Sequence, residues 1–144
     1  LRKLGKELPG RVRLAGAVPH AEVPALLSAM DVAVAPYPEL DCFYYSPLKL
    51  LEYMATGRAI VASRVGQVAE LLEHGRTGFL VEGRDPAVFA SYVNELLSVP
   101  GLAAEIGQAA SEQAAAYTWS TAAGRLRRLY SDLVSAGSPL LCAA

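Results

Sequence analysis

Lys49 and Glu52 carry the first chemical signal, within the stretch Ser46-Pro47-Leu48-Lys49-Leu50-Leu51-Glu52-Tyr53-Met54-Ala55-Thr56-Gly57. Helix N-termini favour acidic side chains, because their free amides and dipole present partial positive charge. Here the first turn has no acid and carries Lys49 instead. Pro47 has no N–H and Ser46 can cap only one amide, so free amides are expected among Leu48, Lys49 and Leu50. A lysine added to an already positive helix end calls for an anion from outside, most simply a phosphate. Taken alone, the turn fits a solvated lysine on a capped surface helix better. Glu52 shifts the balance. Helical side chains lean toward the N-terminus, so its carboxylate should approach the helix mouth. There it would repel a phosphate but accept hydrogen bonds from sugar hydroxyls. Phosphate at the amides and ribose at the carboxylate together describe a nucleotide. The competing explanation is an ordinary exposed glutamate, or one paired with Arg58 or Lys49.

The element that positions these residues has both ends marked. Ser46 suits an N-cap and Pro47 the first helical position. Leu48, Leu51 and Ala55 share one stripe, and Gly57 supplies the stop. Before it, Asp31 opens an apolar run over residues 32–35, expected as a buried parallel strand. The connection over residues 36–45 is long for such a unit and carries Tyr37, Phe43, Tyr44 and Tyr45 with Glu39 and Asp41. Loops at the carboxyl edge of a parallel sheet commonly hold ligands. The aromatics suit stacking on a base or sugar and covering the sheet edge equally well.

Further strands are expected over residues 12–16, 59–62 and 78–81. Helices are expected over residues 21–30, 67–73, 88–98, 102–116 and 121–135. Asp85-Pro86 reads as a cap followed by the first helical residue, and Pro100-Gly101 as a break. Residues 117–120 read as a hinge, and Arg125, Arg127 and Arg128 fall on the polar side of the last helix. Residues 1–10 look like the tail of a helix whose beginning is missing, and residues 136–144 like a frayed tail. Strand and helix alternate, so the fold class is α/β, a parallel sheet with helices on its faces.

Composition narrows the classes. Hydrophobic residues are 53% and charged residues 19% of 144, which describes a globular domain with a real core. A net charge of −1 gives no electrostatic case for nucleic acid or an anionic membrane. No run approaches a membrane span and no secretory signal is visible, so the cytoplasm is the default compartment. Cys42 and Cys142 share no redox or metal spacing, and with His20 and His74 they make a poor zinc set. His20 suits a cap or a surface position better than catalysis, having no Ser, Cys or Asp partner in view. A chain opening on Leu1 is expected to be a piece of a longer protein.

These segments, in this order, resemble the C-terminal, donor-binding domain of GT-B fold glycosyltransferases of the large retaining group 1 (GT4) family. The matching pieces are Gly16-Ala17-Val18-Pro19-His20 with Glu22-Val23-Pro24, then Met30-Asp31-Val32, then residues 46–57. Ile60-Val61-Ala62-Ser63 with Gly66 and Glu70, Gly75-Arg76-Thr77-Gly78-Phe79-Leu80-Val81, and Tyr117-Thr118-Trp119 complete them. Each motif alone is weak; their order and spacing are specific.

The resemblance implies a partial, Rossmann-like nucleotide-sugar-binding domain over residues 1–120, followed by a C-terminal helix and tail over residues 121–144. Glu52 matches the second glutamate of the family's paired-glutamate motif, which holds the ribose hydroxyls. Ser46, Pro47, Leu48 and Lys49 match the helix start facing the donor diphosphate or sugar. The first glutamate of the pair falls at Tyr44, a departure, since a phenol is no carboxylate at neutral pH; Asp41 or Glu39 could substitute. A complete domain would have six parallel strands in the order 3-2-1-4-5-6. The first two, and an N-terminal acceptor domain with the usual catalytic histidine, are expected to be missing. The strand at Val12 would then lose its neighbours and the sheet would expose edges.

The expected function is the donor-binding part of an enzyme transferring a sugar from a nucleotide-diphosphate sugar, with no metal or other cofactor and no catalytic residue in this stretch. Any peripheral membrane contact would fall to the missing half. Two alternatives remain: a non-catalytic nucleotide-sugar or phosphate-binding module acting with a partner subunit, and a structural remnant without ligand. A response-regulator-like domain is disfavoured by the lack of an acidic cluster at a strand end for Mg²⁺.

Overall fold

The computed structural model describes residues 7–8, 10–38, 46–83 and 85–135. Strands β1 (Val32–Ala35), β2 (Ala59–Ser63) and β3 (Phe79–Val81) form a parallel sheet in that spatial order. Val32 stands opposite Ala59, and Val61 opposite Phe79. The connecting helices are α2 (Leu48–Ala55) between β1 and β2, and α3 (Gly66–Leu71) between β2 and β3. The chain enters through a 3₁₀ turn (His20–Glu22) and α1 (Val23–Ser28). It leaves through α4 (Pro86–Ser98), α5 (Leu102–Ala114) and α6 (Trp119–Ser135).

The pleat sorts the core into two layers. Ile60, Ala62 and Leu80 pack with Leu50 and Met54 of α2, Val68 of α3, and Ala110 and Ala114 of α5. Ala59, Val61, Phe79 and Val81 face the other way, onto Leu96 of α4 and Ile106 of α5. Every residue of β2 is buried, as expected of a central parallel strand. The α/β expectation therefore holds, with both faces of the sheet covered. No single helix among the described residues is long and apolar enough to cross a membrane.

Helix α4 starts as its sequence dictates. Asp85 is the N-cap, its Oδ1 accepting from Ala87 N at 2.8 Å, and Pro86 takes the first position. Asp85→Ala should cost about 1 kcal/mol, read as a lower urea midpoint with an unchanged slope.

Two expected elements change. Residues 12–16 are not a strand and are largely exposed. Strand stability lies in cross-strand partners, and among the described residues none lies beside this segment. The helix expected over residues 21–30 divides into the 3₁₀ turn and α1, because Pro24 sits at the start of α1 and cannot continue a preceding turn. The Arg58 guanidinium reaches back to Ser28 O and Met30 O at the end of α1, at 3.3 and 3.0 Å, and to Thr56 O at 3.1 Å. It thereby satisfies carbonyls that a helix end leaves open.

Candidate functional site

At the carboxyl edge of the sheet, Ser63 ends β2 and is 2% exposed. Its Oγ accepts from Tyr37 N at 2.9 Å and donates to Tyr37 O at 3.0 Å. This two-point clasp fixes the loop after β1 against the end of β2. The Tyr37 ring in turn lies 4.9 Å from Lys49 Nζ, a cation–π contact. Burial, and secondarily the neighbouring Tyr53, push the Tyr37 phenol above its ordinary range. Burial first, then the Glu52 carboxylate, do the same for Tyr53. Both phenols therefore remain protonated at neutral pH.

The start of α2 differs from expectation. Pro47, not Ser46, is the N-cap (φ −82°, ψ 53°), without a side-chain cap. Leu48 N donates to Ser46 O at 2.9 Å, and Leu50 N to Pro47 O at 2.9 Å. Two of the three amides expected to be free are thus already taken by a tight first turn. Pro47 is buried and Ser46 lies outside the helix. The expected apolar stripe is also redistributed. Leu50 and Met54 are fully buried, whereas Leu48 is 56% exposed and Ala55 is exposed.

That second face has its own use. Leu48, Leu51, Glu52 and Ala55 line a cleft of about 550 Å³ together with Tyr117, Thr118, Trp119, Arg125 and His20. Glu52 is exposed. Neither Arg58 nor Lys49 pairs with it among the described residues, where the ion pairs are Arg64–Glu82 and Arg76–Glu73. Of the six residues expected to form the site, Leu48 and Glu52 line the cleft. Ser46, Pro47 and Lys49 do not, and Tyr44, with Glu39 and Asp41, lies outside the described residues. Sequence reasoning did not assign Tyr117, Trp119 and Arg125 to the site. The signal was there in Tyr117-Thr118-Trp119, an aromatic pair in a hinge with no core periodicity.

A parallel sheet covered on both faces by helices defines a Rossmann-like unit, here with a carboxylate and aromatics around a cleft beside the first connecting helix. The chain belongs to the group 1 glycosyl transferases, whose family model matches residues 1–99. A D-inositol 3-phosphate glycosyltransferase of Corynebacterium diphtheriae is 36% identical over 132 residues, 91% of this chain. The match spans 29% of that relative's length. Among solved structures, sucrose-phosphate synthase from Thermosynechococcus elongatus superposes with a TM-score of 0.79 at 30% identity, over 94% of this chain and 34% of its own. Anabaena Alr3699/HepE, solved in complex with UDP and glucose, superposes with a TM-score of 0.65 at 27% identity, over 78% of this chain and 29% of its own. The expected GT-B relationship and the Rossmann-like sheet are thereby borne out.

Proposed function

We propose that this chain is the donor-binding part of a GT4-like, retaining glycosyltransferase. The parent would transfer a sugar from a nucleotide-diphosphate sugar to an acceptor held by residues outside this chain. It would act in the cytoplasm and without a metal ion. The observation that carries the reading is Glu52: an exposed carboxylate, without an ion-pair partner among the described residues, on the wall of a cleft beside the start of α2. Its oxygens are only acceptors, which suits the two hydroxyls of a ribose. Lys49 stands one turn earlier and supplies positive charge for a diphosphate, a role that requires it to leave the Tyr37 ring. UDP and glucose bound to HepE support the donor class.

Hydrogen exchange with and without UDP-glucose tests this. Protection should appear over residues 46–57 and 116–122, and sugar transfer by the chain alone should be absent. Unchanged exchange in both segments with saturating UDP-glucose and GDP-mannose would remove the reading.

A further inference from the structure

Trp119 is 85% exposed, the most exposed large apolar side chain among the described residues. It is nevertheless held in place. Thr118 Oγ1 accepts from Thr121 N at 3.1 Å, Thr118 O accepts from Ala122 N at 3.0 Å, and Tyr117 N donates to Ala114 O at 2.9 Å. The turn between α5 and α6 is thus stapled on both sides, which fixes the backbone that carries the indole. Trp119 lines the same cleft as Glu52 and Arg125. One cleft therefore offers an aromatic face, a carboxylate and a guanidinium. A ligand with a planar ring, a diol and an anionic group matches all three.

We infer that the Trp119 indole is the stacking platform for the nucleobase of the bound donor. The inference rests on the nucleotide-sugar reading given above and adds the base contact to it. Stacking on an aromatic face tolerates any base. Trp119 therefore contributes affinity, and other groups choose the base.

The chain contains a single tryptophan, so its emission reports this position alone. UDP and uridine should quench that emission and inorganic pyrophosphate should not. In equilibrium dialysis, Trp119→Leu should weaken UDP binding about tenfold, while Trp119→Phe keeps most of it. Leucine fills the space without a π-face, so the pair separates stacking from simple apolar filling. Both changes are at an exposed position and should leave the urea midpoint unchanged. UDP retained in a Glu52-dependent manner, with unmoved emission and full binding by Trp119→Leu, would overturn the stacking role and leave the nucleotide site standing. No UDP retained by the unaltered chain would overturn both.

Discussion

Gly107→Ala is expected to be the most destabilising small substitution in the described chain. Helix α5 crosses the turn after α2 so closely that a Cβ on Gly107 would stand 2.2 Å from Gly57 O and 2.8 Å from Gly57 C. Both are backbone atoms and cannot swing aside as a side chain would. Gly57 itself has φ +66°, a conformation that an L-residue resists, so the turn has little freedom to adjust. Overpacking of this kind costs about 1–3 kcal/mol, occasionally more, and this contact belongs at the upper end. A drop of about 3 kcal/mol against a typical stability of about 5–15 kcal/mol should appear as a large fall in urea midpoint. Gly124→Ala supplies the control of opposite sign. Apart from its chain neighbours and the backbone of its own helix, no atom lies within 4 Å of its added methyl, and it sits within α6. It should stabilise by about 0.5–1 kcal/mol. Equal effects at the two glycines would show that the α5 crossing is not as close as described.

Glu52→Gln is expected to weaken nucleotide binding strongly while leaving the fold intact. The carboxylate is exposed and has no ion-pair partner among the described residues, so its charge does not support the structure. Bound to a ribose, it would accept two hydroxyls as charge-assisted hydrogen bonds. Losing the charge should cost about 1.5–3 kcal/mol, or roughly 10- to 150-fold in the dissociation constant for UDP. Calorimetric titration reads that loss. A second readout is independent of ligand. Glu52 contributes to the raised Tyr53 pKa, so neutralising it should lower that pKa, while burial keeps it above the ordinary value. Phenolate absorbance against pH measures the change. Undiminished UDP binding by Glu52→Gln, with the Tyr53 shift present, would remove Glu52 from the site without calling the fold into question.

Strands β1, β2 and β3 and the start of α4 were legible in the sequence, for a local reason. Buried parallel strands are continuous apolar runs, and Asp85-Pro86 encodes a helix start in the two residues themselves. Glu52 was legible as a candidate because its place one turn after Leu48 follows from helix geometry alone. The strand expected over residues 12–16 did not form, since a short segment can suggest a strand but does not provide its partner.

Helix α2 marks the division most sharply. Its eight residues include Leu48, Leu50, Leu51, Tyr53, Met54 and Ala55, so the apolar side chains span an arc broader than one packing face, with Leu50 and Met54 opposite Lys49 and Glu52. The amino-acid order determined that a short helix would follow β1 and carry Lys49 and Glu52. Only the tertiary structure decided which face entered the core, because that depends on where β2 and α5 lie. It buried Leu50 and Met54, turned Leu48 and Ala55 outward, and brought Trp119 to the same cleft as Glu52. How much of a broad apolar arc is buried depends on neighbours brought together from distant positions, which the order of residues within α2 does not specify.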